Sequence, residues 1–101
     1  MKIIGLLGGM SWESTADYYR LINQGVKQRL GGLHSAKIVM LSVDFQAVEK
    51  LQQQGDWDSA ANLLCEAAQS IEKGGADCLL ICTNTMHKVA AEVQALSLIH
   101  I

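Results

Sequence analysis

The sequence predicts a doubly wound α/β domain built on a parallel sheet, and three observations carry that prediction. Strand-like and helix-like segments alternate in the order β-α-β-α-β-α, with no hairpin signal between them. The strand-like segments are nearly continuous in apolar character, as parallel strands covered on both faces should be. Two of them break into glycine or small polar residues just before a helix begins, the kind of junction at which open α/β sheets bind ligands.

The first strand is Lys2 to Leu7, interrupted at Gly8-Gly9-Met10-Ser11. Ser11 can cap the helix that follows, and Glu13 places a carboxylate at its positive end. That helix runs to about Arg29, with Tyr18, Leu21, Ile22, Gly25 and Val26 on one face, and Gly31-Gly32 ends it. A second strand spans Ala36 to Val43 and closes at Asp44. Phe45 to Gln53 reads as a short helix, leading into the polar segment Gln52-Gln53-Gln54-Gly55-Asp56 near the expected pocket. Asp56 caps a stronger helix, whose Ala60, Leu63, Leu64, Ala67, Ala68 and Ile71 share a face and which Gly74-Gly75 terminates. Ala76 to Cys82 is the third strand. A last helix starts at Asn84 or Thr85 with Met86, Val89, Ala90 and Val93 on one side, and Leu98 to Ile101 reads as the opening of a fourth strand. The chain stops while still apolar, which leads us to expect a further, carboxyl-terminal part.

Composition bounds the function. In 101 residues, half of them apolar, there is enough material for one domain with a real core. The net charge of -2 and the scattered Lys and Arg give no basic stripe, so no nucleic-acid partner is expected. The apolar start is shorter than the roughly 7–15 residues of a signal peptide's core. No run approaches the about 18 apolar residues of a membrane span, so the expectation is a cytoplasmic protein with no membrane partner. Cys65, Cys78 and Cys82 are odd in number and lack a paired spacing, which points to a reducing compartment rather than a disulfide framework. On one strand Cys78 and Cys82 would stand roughly 13 Å apart, too far to share an ion, so no metal site is expected.

Two junctions are candidates for chemistry. The glycines of Leu7-Gly8-Gly9-Met10-Ser11 would let backbone N–H groups approach an anion at a helix start, or would serve only a tight strand-to-helix turn. The loop is neither a dinucleotide fingerprint nor a P-loop, since the glycine spacing and the lysine are wrong. Thr83-Asn84-Thr85 would cap a helix, face a ligand, or divide the two tasks. His87 reads as an ordinary helix residue, His34 carries little signal, and Trp12 and Trp57 at helix starts fit pocket lids or core edges equally well.

Taken together, Gly5-Leu6-Leu7-Gly8-Gly9-Met10-Ser11-Trp12-Glu13-Ser14-Thr15, Tyr18-Tyr19-Arg20-Leu21-Ile22-Asn23 and Cys82-Thr83-Asn84-Thr85-Met86-His87-Lys88 resemble the aspartate/glutamate racemase family, in its amino-acid racemase branch. The resemblance covers about residues 1 to 93. It implies a Rossmann-like or flavodoxin-like sheet, one of two pseudosymmetric domains that close on an amino-acid substrate without a cofactor, each domain offering one acid/base residue. Residues 1–96 are then the amino-terminal domain, and 97–101 the start of the next strand or a truncated end. Racemisation needs proton removal from one face of the α-carbon and return on the other, so one half by itself is expected to be inactive.

Much of that family reads Cys-Asn-Thr-x-His where this chain reads Thr83-Asn84-Thr85-Met86-His87. The alignment puts Thr83 in the catalytic position and Cys82 one residue early, on the opposite face of the strand and so in the core. The resemblance therefore implies Thr83 as the acid/base residue, and Met10, Gln52, Thr83, Asn84 and Thr85 as the substrate grip, Gln52 resting only on its polar loop. A hydroxyl is a weaker acid than a thiol, which implies a Thr/Cys pair that handles one enantiomer better. Beside this reading stand a non-catalytic domain that binds a small carboxylate and the related decarboxylases and maleate isomerases. Partners are then the amino acid, the missing half and, where surfaces allow, a second copy of the chain.

Overall fold

Three strands and three helices make up the described part of the protein, residues 1–82 of the computed structural model. In chain order they are β1 (Ile4–Gly8), α1 (Trp12–Leu30), β2 (Ile38–Ser42), α2 (Phe45–Gln53), α3 (Trp57–Lys73) and β3 (Cys78–Ile81). The expected final helix and fourth strand lie outside the described residues.

The element ends differ from the sequence reading for identifiable reasons. β1 starts at Ile4 rather than Lys2 because the Ile3 N–H donates to the Asp77 carboxylate, at 2.7 Å, instead of to a strand. It runs on to Gly8, which pairs with Ser42. β2 starts at Ile38 rather than Ala36, whose N–H is taken by the Asn23 side chain of α1 at 2.8 Å. α1 ends at Leu30, where Gly31 at φ 73 turns the chain and its N–H closes on the Lys27 carbonyl. Two of the helices start as the sequence indicates, on Ser11 and Asp56, and α2 starts on Asp44, which the sequence reading gave only as the end of the second strand; all three side chains accept from backbone N–H groups of the first turn.

The strand order is β2-β1-β3, all parallel, with Leu6 opposite both Met40 and Leu80. From β1 the chain moves to a neighbour on one side, then crosses back to the other. With right-handed crossovers the two connections must lie on opposite faces, which is what doubly wound means. The glycines of β1 report this directly. A Cβ on Gly5 would meet Ile71 of α3, whereas one on Gly8 would meet Thr15 of α1. Residues three apart on a strand face opposite ways, so α1 and α3 flank the sheet.

The main core fills the α3 face. Leu7, Leu79 and Ile81 of the sheet pack with Ala61, Leu64, Cys65, Ala67, Ala68 and Ile71 of α3, Val48 of α2 and Met10 of the first loop. Alanines on α3 let the helix approach closely, and the absent Cβ of Gly5 makes room for Ile71. Ala61 and Cys65 are buried beyond the stripe that the sequence indicated. The other face is less covered: Leu6 is buried, while Met40 and Leu80 in the same row are exposed. On α1 Tyr18, Ile22, Gly25 and Val26 of the expected stripe are half-buried, but Leu21 lies roughly a quarter turn off that stripe and is exposed, against the sequence reading. All three cysteines are free thiols, and no helix among the described residues is long and apolar enough to cross a membrane.

Candidate functional site

The order β2-β1-β3 fixes where a site can form. In sheets of this order the loops leaving β1 and β3 diverge to create a crevice beyond the strands' carboxyl ends. Here those ends are level. Val43 donates to the Gly8 carbonyl at 2.8 Å and Cys82 to the Leu7 carbonyl at 3.0 Å, so the chain leaves all three strands at nearly the same height. The β1 exit is Gly8-Gly9-Met10-Ser11, and the β3 exit is Cys82 followed by Thr83.

The β1 exit is held from two sides. Gly9, at φ 94, lies so close to Val43 that any Cβ would run into the Val43 carbonyl and nitrogen. On its other side the Gly9 N–H donates to the Thr15 hydroxyl at 3.0 Å. Ser11 is the one non-glycine residue among those described with a positive φ, 138, a conformation that a side chain disfavours and that the surroundings must enforce. Its hydroxyl accepts from the Ser14 N–H, at 3.4 Å, and its carbonyl accepts from both the N–H and the hydroxyl of Thr15. The amides of Met10 and Ser11 have no acceptor among the described residues, which leaves two donors beside a helix start where an anion is favoured.

Of the sequence-predicted residues, Met10 sits in this loop. Its side chain is 3% exposed and belongs to the core, so what it offers a ligand is its backbone N–H. Gln52 is half-buried in the last turn of α2, a helix length of about 10 Å from the end of β2. Thr83, Asn84, Thr85 and His87 lie outside the described residues. Cys82 is 1% exposed, and burial pushes its thiol up to about 11. It is therefore a neutral core side chain near neutral pH. Trp12 is 70% exposed and so is no core edge, whereas Trp57 is half-buried against the core. Sequence reasoning missed Thr15, whose only signal was its place four residues after Ser11 on the stripe of Tyr18 and Ile22.

A separate groove of about 380 Å³ lies along α1 and the loop after it, lined by Tyr19, Arg20, Asn23, Lys27 and His34 among others. Its Arg20 pairs with Asp17 at 3.5 Å. No three His, Cys, Asp or Glu side chains among the described residues are placed to hold a metal ion.

Comparison with known proteins agrees with this geometry. A family model for Asp/Glu/hydantoin racemase matches residues 7–101. Among solved structures, a provisionally assigned Asp/Glu racemase from Yersinia pestis is 59% identical and superposes with a TM-score of 0.97. An aspartate racemase homologue from Pyrococcus horikoshii is 28% identical, with a TM-score of 0.89. Each match covers 99% of this chain but only 44% and 43% of those longer chains, so this sequence spans less than half their length. The loop of Gly8 to Ser11, the parallel α/β sheet and the extent of these matches together place the chain in the Asp/Glu/hydantoin racemase family.

Proposed function

We propose that this chain supplies the amino-terminal half of a cofactor-independent amino-acid racemase acting on aspartate or glutamate in the cytoplasm. Residues 1–96 form that half's domain. The observation that carries the reading is the β1 exit: a loop in a strained conformation, at the carboxyl end of the sheet, with two amides that have no acceptor among the described residues. These amides suit a substrate carboxylate. As the α-proton leaves, negative charge spreads into that carboxylate, and fixed donors stabilise it without having to reorganise.

In this reading Thr83 exchanges the proton on one face of the α-carbon, and a cysteine of the second half serves the other. Met10, Gln52, Asn84 and Thr85 hold the amino acid. The burial of Cys82 supports the assignment indirectly, because a thiol held near 11 makes a poor base near neutral pH. A two-sided reaction needs both halves, so the chain alone has no turnover.

The test is chiral chromatography of L- and D-aspartate and of L- and D-glutamate, incubated with the chain alone and with a protein that continues it through a second half. Interconversion by the longer protein only is the expected result. Ligand binding without interconversion by either would favour the second reading, a non-catalytic carboxylate-binding domain, which the match to under half of the relatives' length keeps in view.

A further inference from the structure

We propose that Thr15 is a positioning residue, whose hydroxyl fixes the Met10 and Ser11 amides in the conformation that receives the substrate carboxylate. The inference rests on the functional reading above and adds to it a residue that touches no substrate. Thr15 is 5% exposed and is the one buried polar side chain among the described residues. Its placement depends on the glycine at position 8: a Cβ there would stand 2.7 Å from the Thr15 Oγ1 and closer still to its methyl group. Gly8 therefore leaves the space into which Thr15 sinks, and the side chain rests on the backbone at the end of β1.

From there the hydroxyl acts as a brace across the turn. It accepts from the Gly9 N–H at 3.0 Å and donates to the Ser11 carbonyl at 3.1 Å. Those contacts bracket the stretch that carries the two amides without an acceptor among the described residues. The opposite side of Gly9 is blocked by Val43, so the loop has nowhere to relax on that side. A serine at φ 138 persists only where neighbours over-determine it, and the Thr15 hydroxyl and N–H are the groups bonded to that residue's carbonyl. An ordinary capping hydroxyl bonds forward from the cap itself, as Ser11 does to Ser14. Thr15 bonds backward, to the loop.

The experiment titrates the chain with L- and D-aspartate and follows the backbone amide resonances of Met10 and Ser11 by nuclear magnetic resonance. Thr15→Val keeps the shape and removes both hydroxyl bonds, while Thr15→Ser keeps the hydroxyl. We expect saturable shifts at both amides in the wild type, an affinity weaker by about tenfold or more in Thr15→Val, and an affinity close to wild type in Thr15→Ser. Thr15→Ala also removes both hydroxyl bonds with a smaller side chain, and should fold while binding more weakly, so the idea stays testable if the valine variant does not fold. Equal binding by wild type, Thr15→Val and Thr15→Ala would overturn the positioning role and leave the functional reading standing. Absence of loop shifts in the wild type itself would instead remove the carboxylate site, and the role of Thr15 with it.

Discussion

Cys82 and Thr83 are neighbours in sequence with opposite assignments: Cys82 is buried, and Thr83 is the proposed acid/base residue. The Cys82 thiol lies in the core, and among the described residues its hydrogen-bond contact is a long one, 3.9 Å to the Leu80 carbonyl. Cys82→Ala should therefore cost about 1 kcal/mol of stability as a small core truncation, and leave largely intact the turnover of the proposed two-domain racemase. Thr83→Ala should do the reverse. Thr83→Cys should bring the initial rates from the two enantiomers closer together, since a thiol is a better-matched acid and base. Loss of turnover in Cys82→Ala alone would show the alignment of this junction to be one residue out. Asp56 makes a separate prediction. Its bonds from Ser59 lower its carboxyl below the ordinary 3.8. A group depressed on folding stabilises at pH above its unfolded value and loses that contribution as pH falls through the folded one. The melting temperatures of wild type and Asp56→Asn should thus differ at neutral pH and converge below 3.8; a constant gap would show that the charge contributes nothing.

Each glycine does different work in its element, and alanine substitutions should separate the cases. Gly25 lies within α1 with nothing within 4 Å of an added Cβ. Gly25→Ala should stabilise by about 0.5–1 kcal/mol, because alanine is the better helix former. Gly5→Ala would put a Cβ 2.5 Å from the Ile71 Cγ2 and 2.8 Å from the Cys78 carbonyl, spreading α3 and β3 away from β1. Overpacking of that kind costs about 1–3 kcal/mol. Gly9→Ala should cost more than Gly5→Ala, since it combines a positive φ with a collision against the Val43 backbone, which has no rotamer to yield. Urea denaturation of the three variants gives the order directly. A Gly9→Ala protein as stable as wild type would mean that the first loop is not held as described.

At the scale of the molecule, the dominant feature among the described residues is the uneven cover of the sheet. The α3 face is packed along its length, while Met40 and Leu80 on the other face are exposed, as are Leu21, Trp12 and Leu33. Apolar surface of this kind promotes association. Light scattering should show mass rising with concentration for the 101-residue chain, and Met40→Gln with Leu80→Gln should reduce that rise. A concentration-independent monomer would count against it.

The class of the fold, the order of the described elements and the caps at Ser11 and Asp56 were legible along the chain. Apolar strands, glycine stops and these capping side chains act locally, over a few residues, and local effects can be read in order along a chain. The family resemblance, joined to the alternation of side chains along a strand, also implied a buried Cys82, and Cys82 is 1% exposed. What needed the tertiary structure were the facts that depend on a second element. Ala36 leaves β2 because Asn23 of α1 claims its amide, β1 starts late because Asp77 binds Ile3, and Leu21 faces out because the helix stripe is centred on Thr15, Tyr18 and Ile22. The same holds at the candidate site. Gly8-Gly9 announced a close approach, but that Val43 lies on one side of Gly9 and Thr15 on the other, with Ser11 beyond them at a positive φ, is decided only once α1, β1 and β2 have packed. A hydrogen bond or collision between distant residues is a property of the assembled sheet, and no periodicity along the chain encodes it.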